Sequence, residues 1–318
     1  MATGAFDASR KIVSDESHVY LPVLDLDENA FSSIRDIAEF ELVQINFLPE
    51  ERILSPEDIL GFRPSFEVVG DIAMIEDNDA QRIAAALMST SKSIKAVIAP
   101  ISDVEGEFRT RRFRHVAGEA RTVTLHKEHG LRYRVDLERA YFTPRLGTER
   151  LRIAGQVSPG DVVLDMFAGV GPFALLLAKK GAEVIAMDKN PVAVKYLHEN
   201  ARLNKVNNIK ILEGDAAELA LCYENRADHV IMNLPHSASA FLLPALRAAK
   251  PEGMIHYYCI APEDDLYRDE ALIRKAAEEI NAGGEVLRKE IVRSYAPHRH
   301  NVVIDFRVKK WLFATSSC

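Results

Sequence analysis

The feature that most constrains the fold of this chain is a glycine turn between two apolar segments. The turn, Asp165-Met-Phe-Ala-Gly-Val-Gly171, follows Val162–Leu164, which has strand character, and precedes Pro172–Lys179, which has helical character. A strand, a glycine turn and a helix start let the backbone approach a ligand closely, with N–H donors exposed at the helix end. This order predicts a ligand pocket at the carboxyl end of a buried strand.

Strand and helix patterns alternate from about residue 157 onwards, which predicts a doubly wound, mostly parallel α/β sheet. The expected strands are Val162–Leu164, Glu183–Met187, Ile209–Leu212, His229–Met232, Met254–Cys259, Val286–Val292 and Asn301–Val308. Ligands bind such a sheet in the crevice outside the carboxyl ends of its strands. Asn233-Leu-Pro235 directly follows the fourth strand, so we expect it beside the glycine turn.

The chain before this sheet is less regular. Residues 1–60 contain strand patterns at Val19–Leu24 and Glu41–Phe47 and a helix pattern at Asp27–Arg35, which predict a small N-terminal module. In residues 61–150 we expect an α+β domain with a helix over Asp79–Met88 and strands at Phe66–Ile75, Ala96–Ala99, Phe108–Phe113, Arg121–His126 and Leu131–Asp136. The predicted domains are therefore residues 1–60, 61–150 and 151–318.

Arginines alternate with other residues inside two of these expected strands. Strand alternation would point Arg109 and Arg111 to one sheet face, and Arg132 and Arg134 likewise. The overall net charge of −7 is unevenly distributed, because residues 1–108 carry −13, residues 109–150 carry +6 and residues 151–318 carry zero. The basic segment is either an electrostatic footprint for nucleic-acid phosphate or a solvated sheet face paired with the acidic front.

Composition favours a soluble cytoplasmic protein. The chain has no run of the roughly 20 apolar residues that span a bilayer and no apolar stretch after its first basic residues. Its cysteines, Cys222, Cys259 and Cys318, are widely spaced and contain no CxxC pair, which fits a reducing compartment. The pair His298 and His300 is a weak ligand set by itself. We therefore expect no metal site.

The glycine turn by itself is compatible with a dinucleotide fold, but its G-x-G lacks the third glycine of that fingerprint. Asp165, Asp188 after the next strand and Gly214-Asp215-Ala216 after the third strand resemble class I S-adenosylmethionine methyltransferases. In that family the last aspartate meets the adenine amino group. The resemblance implies S-adenosylmethionine as the cofactor, with binding residues Arg150, Asp165, Phe167, Gly169, Gly171, Asp188, Lys189, Asp215, Ala216 and Asn233.

Further motifs indicate which family of class I methyltransferases the chain resembles. The segments Glu107–Arg111, Tyr141–Arg150, Asp165–Pro172, Asn233–Pro235 and Ser294–His298, with Asp305–Arg307, resemble the archaeal and eukaryotic tRNA (guanine-37, N1) methyltransferases. The resemblance runs from about Phe66 to Val308, and Tyr-Phe-x-Pro-Arg-Leu-x-Thr-Glu-Arg is its most specific part. Residues 1–60 match that family's tRNA-elbow module only loosely and are shorter. The resemblance implies tRNA as the partner and residues 61–150 as the RNA-binding domain. The sequence leaves the oligomeric state open, with a monomer expected.

The chemistry of this reaction requires a base and a cation. Guanine N1 carries a proton, so methylation needs a base beside it, and a guanidinium can stabilise the charge that builds on O6. The resemblance assigns the base to Glu149 and the O6 contact to Arg109, with Arg111 as the fallback. It assigns the guanine edge to Asn233, the shape of its slot to Pro235, and further substrate contacts to Tyr141, Arg145 and Arg111.

Each assignment has an alternative. Glu149 at the start of a helix would also favour the helix macrodipole, and Arg109 would also serve as a phosphate contact. Related activities are a wyosine-pathway transfer of the aminocarboxypropyl group to modified guanine 37 and C7 methylation of a tricyclic precursor. The Pro-Arg-Leu-x-Thr-Glu-Arg pattern at residues 144–150 favours N1 methylation. An inactive RNA-binding protein would need no base, so the intact acidic residues argue against that alternative.

Overall fold

The computed structural model describes residues 6–24, 32, 34–35, 39–50, 54–76 and 78–310. The chain divides into two compact units, Met1–Pro64 and Ser65–Cys318. The helix predicted over Asp27–Arg35 falls mostly outside the described residues, as does Cys318. Among the described residues, no helix is long and apolar enough to cross a membrane. The domain boundaries predicted at residues 60 and 150 stay predictions.

The first unit contains little regular structure in its described part. Strand β1 (Val13–Ser14) pairs antiparallel with β2 (Val19–Tyr20), which is shorter than the sequence predicted. Helix α1 (Pro56–Leu60) begins at a capping box whose N-cap residue is Ser55. The strand predicted over Glu41–Phe47 is wrong, because these residues form no ladder. Alternation alone does not make a strand where no partner strand lies beside it.

The second unit begins with a small sheet and a hairpin. Its first sheet has the order β3-β4-β5-β6, with only β4 and β5 parallel, and a separate antiparallel hairpin β7-β8 follows. The elements are β3 (Phe66–Val69), β4 (Ile72–Ile75), α2 (Ala80–Thr90), β5 (Ala96–Pro100), β6 (Phe113–Gly118), β7 (Val123–Glu128) and β8 (Leu131–Asp136).

Two sequence predictions for this region need correction. The strand expected over Phe66–Ile75 is two strands, because the chain reverses at Gly70. The strand expected over Phe108–Phe113 begins only at Phe113, and Arg109 has a left-handed φ of 53°, so Arg109 and Arg111 do not alternate on one sheet face. By contrast, the exposed positions 132 and 134 do share a face of β8, as predicted.

The doubly wound sheet is confirmed, with the strand order β11-β10-β9-β12-β13-β15-β14. Only β15 runs against the other strands, because it pairs antiparallel with both β13 and β14. Its elements, after a short 3-10 turn at Pro144–Leu146, are α3 (Gly147–Ala154), β9 (Val162–Asp165), α4 (Pro172–Lys179), β10 (Glu183–Asp188), α5 (Pro191–Leu203), β11 (Ile209–Glu213), α6 (Ala216–Leu219), β12 (Ala227–Met232), α7 (Leu242–Ala248), β13 (Ala249–Pro262), α8 (Asp269–Glu279), β14 (Ala282–Ala296) and β15 (Arg299–Lys310). Two more 3-10 turns, Ala220–Tyr223 and Ala238–Phe241, precede β12 and α7.

Asn200 of α5 and Asn204, which caps the C-terminal end of α5, join the hairpin to the helix layer of the large sheet. The Asn200 side chain accepts the Arg134 N–H at 2.7 Å and donates to its carbonyl at 3.0 Å. Asn204 makes the same pair of bonds to Arg132, at 2.9 and 2.7 Å. Because the two asparagines are four residues apart, they lie on one helix face and act as a strand partner for β8. Tyr133, between the two arginines, packs fully buried into the core beneath.

The glycine turn gives a stability prediction. Gly171 has φ +97°, and a Cβ there would lie 2.3 Å from Cδ1 of Leu197, which is fully buried. Gly160, at φ +88°, is exposed and has no atom within 4 Å of that position. We expect Gly160→Ala to cost about 1 kcal/mol of unfolding free energy from backbone strain alone. Gly171→Ala should cost about 1–3 kcal/mol more from overpacking. Urea unfolding of both variants measures the difference, and equal losses would contradict the steric argument.

Candidate active site

A cavity of about 470 Å³ opens at the carboxyl edge of the large sheet, within the second unit. Loops after β9, β10, β11 and β12 form one part of its wall, and residues before β6 and α3 form another. The residues predicted from sequence that line it are Arg109, Tyr141, Arg150, Phe167, Gly169, Asp188, Lys189, Asp215, Ala216, Asn233 and Pro235. Glu149, Asp165, Gly171, Arg111 and Arg145 do not line it.

A fixed carboxylate lies at the end of β10. The two oxygens of Asp188 accept the N–H groups of Gly169 at 2.7 Å and Asn190 at 2.8 Å. Burial raises the pKa of Asp188, while these two backbone hydrogen bonds act in the opposite direction. Each carboxylate oxygen can accept a second bond, so Asp188 can still receive a ligand hydroxyl. The glycine turn and the next strand end are thereby held together at the cavity.

A second carboxylate, Asp215, caps α6 by accepting the Ala217 N–H at 2.8 Å. Lys189 Nζ lies 3.3 Å from Asp215 and 2.5 Å from Glu107, which also lines the cavity. The hydrogen bonds to Glu107 and Asp215 raise the pKa of Lys189. This wall therefore presents acidic groups with one paired ammonium.

Asp165 and Gly171 support the turn from beneath the cavity wall. Asp165 is only 1% exposed at the end of β9, and burial raises its pKa to about 7. Gly171 packs against Leu197, as described above. Both residues therefore shape the turn without reaching the cavity themselves.

A second set of lining residues is suited to a planar base. The Arg109 guanidinium lies over the Tyr141 ring, 5.2 Å from its centroid. Asn233 makes no side-chain hydrogen bond with any residue in the described part of the chain. The Pro235 carbonyl accepts the Ile260 N–H at 3.1 Å, which ties the loop after β12 to β13. An unpaired amide beside a stacked guanidinium can bind the edge of a planar base.

Glu149 and Arg150 are adjacent on α3 but occupy different environments. Arg150, 2% exposed, lines the cavity, pairs with Glu128 at 2.8 Å and donates to the Thr143 carbonyl at 2.8 Å. Glu149, 6% exposed, instead accepts hydrogen bonds from Arg152 behind the cavity. The two remaining predicted arginines are also paired, Arg111 with Glu76 at 2.7 Å and Arg145 with Glu67 at 3.0 Å.

Sequence reasoning missed the contribution of the last two strands. Because β15 returns antiparallel beside β13, its first residues reach the same edge as the strand ends that bind ligands. Asn301, 2% exposed, lines the cavity with an Oδ1 that has no partner among the described residues. Arg293 and Tyr295 of β14 also line it, and Phe241 stacks edge-to-face with Phe167 at 4.9 Å. Tyr295 belongs to the Ser294–His298 segment of the family resemblance, whereas no local motif marks Asn301 or Arg293, which the sheet order brings to the site.

Comparison with known families identifies the chain's relatives. The model of the TRM5/TYW2 methyltransferase domain matches residues 124–286, and that of the TYW2 N-terminal domain matches residues 50–122. The chain belongs to the TRM5/TYW2 methyltransferase family. The class I methyltransferase resemblance and the fold predicted from it are therefore confirmed.

The similarity to individual relatives extends over most of the chain. The chain is 42% identical to tRNA (guanine(37)-N(1))-methyltransferase Trm5b of Pyrococcus abyssi, over 96% of this chain and 93% of that protein. The crystal structure of Trm5b from the same organism superposes with a TM-score of 0.77 at 40% identity, over 96% and 93% of the two chains. Similarity also extends to tRNA 4-demethylwyosine(37)-methyltransferase Taw21 of Saccharolobus solfataricus, 34% identical over 76% of this chain and 92% of that protein.

The raised pKa of Asp165 gives a pH prediction. Between about pH 4 and 7 the folded protein holds a proton on Asp165 that the unfolded chain releases, so this residue lowers stability as pH rises. Asp165→Asn removes this contribution. We expect the free energy of unfolding of Asp165→Asn, relative to that of wild type, to increase from pH 5 to pH 8, because only wild type loses stability over this range. Urea unfolding at several pH values measures it, with exposed Asp103→Asn as the control. A pH-independent difference would contradict the burial argument.

Proposed function

We propose that this chain transfers the methyl group of S-adenosylmethionine to N1 of guanine 37 in tRNA. The observation that carries the proposal is a single cavity in which the acidic strand ends meet Arg109, Tyr141 and Asn233. A cofactor with hydroxyl and amino donors suits the first wall, and a planar base suits the second. The near full-length similarity to Trm5b of Pyrococcus abyssi supports the same reaction.

The acidic wall fits S-adenosylmethionine. Asp188 is held by two backbone N–H groups with acceptor capacity to spare, which suits ribose hydroxyls. Asp215 retains an acceptor for the adenine amino group, and the Phe167 ring offers an apolar surface. When bound, S-adenosylmethionine supplies an electrophilic methyl group. Gly169, Lys189 and Ala216 complete the proposed cofactor contacts, with Arg150 holding the wall from α3.

The second wall would hold the flipped guanine. A loop base leaves its stack at less cost than a base in a duplex, so guanine 37 can enter the cavity. The free amide of Asn233 binds the guanine edge, and Pro235 shapes the slot beside it. Arg109, fixed over Tyr141, stabilises the negative charge that develops on O6.

Glu149 is the proposed base that takes the N1 proton. Leu146 and Arg150, on either side of it in α3 and the preceding turn, line the cavity, whereas Glu149 lies behind the wall. Proton transfer therefore requires its side chain to turn from Arg152 towards the cavity. Catalytic contacts are often incomplete in ligand-free enzymes and close when substrate binds.

Arg111 and Arg145 each pair with a carboxylate, which makes a direct contact with the guanine base less favourable for either side chain. Arg111 is tied to Glu76 and lies over the Phe113 ring, while Arg145 is 56% exposed and tied to Glu67. We propose that both contact tRNA phosphate, by exchanging a carboxylate partner for phosphate, with Arg145 exposed and Arg111 partly exposed.

A wyosine-pathway reaction is the second candidate. The match of residues 50–122 to the TYW2 N-terminal domain and the similarity to Taw21 favour it. Such an enzyme would act on a modified guanine 37, either by C7 methylation or by aminocarboxypropyl transfer. The two candidates differ in their substrate. N1 methylation acts on an unmodified guanine 37, whereas a wyosine-pathway reaction acts on a modified one.

The first test compares substrates. We expect purified protein with methyl-labelled S-adenosylmethionine to label a tRNA transcript that carries G37, and not one that carries A37, because only guanine offers N1–H beside O6. The label should be recovered as 1-methylguanosine. A tRNA that carries 4-demethylwyosine, assayed with methyl- and carboxyl-labelled cofactor, tests the wyosine reactions. Labelling of that tRNA alone would overturn N1 methylation of guanine.

The second test concerns the base. We expect Glu149→Gln to lower the single-turnover rate at least ~10²-fold, the scale of a lost general base, while tRNA and cofactor affinities change little. Glu183→Gln, at an exposed position at the start of β10, is the control. Rapid-quench assays with saturating enzyme measure the rate. A rate within a few-fold of wild type would remove Glu149 from this role.

A further inference from the structure

A line of buried polar side chains lies between α3 and the large sheet, behind the cavity wall. Arg152 Nε and Nη2 donate to the two oxygens of Glu149, both at 2.7 Å. The Tyr258 hydroxyl donates to Glu149 Oε1 at 2.5 Å. We name this group, with Asp305 and His256, the polar seam. Every member is at most 13% exposed.

The seam continues from Arg152 down the sheet. Arg152 Nη1 donates to Asp305 Oδ2 at 2.5 Å, and the other oxygen of Asp305 lies 2.8 Å from His256 Nδ1. Burial acts to raise the pKa of Asp305, but the hydrogen bonds from His256 and Arg152 outweigh it and hold the pKa below its usual range. Asp305 therefore remains a carboxylate and neutralises Arg152. A third carboxylate, Glu290 of β14, lies 3.5 Å from Arg152 Nε.

This arrangement leaves Arg152 neutralised when Glu149 moves. If Glu149 turns towards the cavity, Arg152 keeps Asp305 and Glu290 as partners, so no unpaired charge remains buried. Without those carboxylates, the same movement would strand a buried guanidinium. The polar seam thus lowers the electrostatic cost of moving Glu149 away from Arg152.

Tyr258 differs from Arg152 because it contacts Glu149 from the sheet. Tyr258 lies on β13 two residues before Ile260, which lines the cavity, so the two side chains share a sheet face near the carboxyl edge. Burial and the neighbouring charge of Glu149 raise the pKa of Tyr258 well above its usual value. Its hydroxyl therefore stays protonated and acts as a hydrogen-bond donor to the Glu149 carboxylate.

We propose that Tyr258 is a positioning residue for Glu149, and that its hydroxyl orients the carboxylate for reaction. This inference rests on the proposed role of Glu149 as the base. The groups that face Glu149 are Arg152 on its own helix and Tyr258 on β13, while Asp305 of β15 and Glu290 of β14 face Arg152. Of the two donors to Glu149, Tyr258 is the one whose loss changes no charge.

The test is the isosteric Tyr258→Phe variant. We expect its single-turnover rate at neutral pH to fall about tenfold, because Glu149 loses the hydroxyl that orients its carboxylate. Affinities for tRNA and for S-adenosylmethionine should stay within about twofold of wild type.

A matched control separates positioning from stability. Tyr257, the residue before Tyr258 on β13, is also buried. Its hydroxyl donates to Asp269 at 2.8 Å on the other face of the sheet. Tyr257→Phe removes a comparable hydrogen bond far from Glu149. We expect a similar fall in Tm for the two variants, but an unchanged single-turnover rate for Tyr257→Phe. The same rate loss in both variants would overturn the proposal.

A double variant decides whether Tyr258 acts through Glu149. Residues that act as one unit have non-additive effects, so Tyr258→Phe should cause no further loss when Glu149 is already Gln. Additive losses would overturn the positioning role. A hundredfold loss in Glu149→Gln with no effect of Tyr258→Phe would overturn this inference alone. A near-normal rate in Glu149→Gln would overturn the base assignment and the inference with it.

Discussion

The active-site cavity depends on the docking of the β7-β8 hairpin against α5. Asn200 and Asn204 satisfy the backbone of β8 as a neighbouring strand would, and both are nearly inaccessible to water. Buried polar groups left without such partners would carry a large desolvation cost, so the register of this contact is strongly specified. It fixes the segment after the hairpin, which includes Tyr141 and Glu149. The cavity residues Tyr141 and Asp188 can therefore line one cavity only while this contact is intact.

The order of strands in the large sheet also decides which polar groups lie along its carboxyl edge. Asp188 ends β10 and Asp215 follows β11, and backbone N–H groups fix both carboxylates, whereas the unpaired amide of Asn233 follows β12. The antiparallel β15 adds Asn301 at the same edge. Behind this edge, the polar seam holds Glu149 between a cation and a neutral donor.

The sequence predicted the large sheet well and the front of the chain poorly. The strands and the glycine turn of residues 157–310 were recoverable because apolar runs, turns and amphipathic helices follow local rules. The strands expected over Phe108–Phe113 and Glu41–Phe47 were wrong in part or in whole, because a ladder needs a partner strand that alternation does not reveal. Among the predicted site residues, eleven line the cavity, and Glu149 lies behind it. Whether Glu149 is the base stays a prediction.

The sequence by itself determined the doubly wound sheet, the family and the acidic strand ends, since each depends on residues that are near one another in the chain. Only the tertiary structure decided which long-range groups meet. It placed Asn301 in the same cavity as Asn233, tied Arg111 and Arg145 to carboxylates, and set Tyr258 against Glu149, 109 residues earlier in the chain. Those contacts follow from strand order and helix docking, in which distant segments compete for the same buried surface, and no local pattern records the outcome.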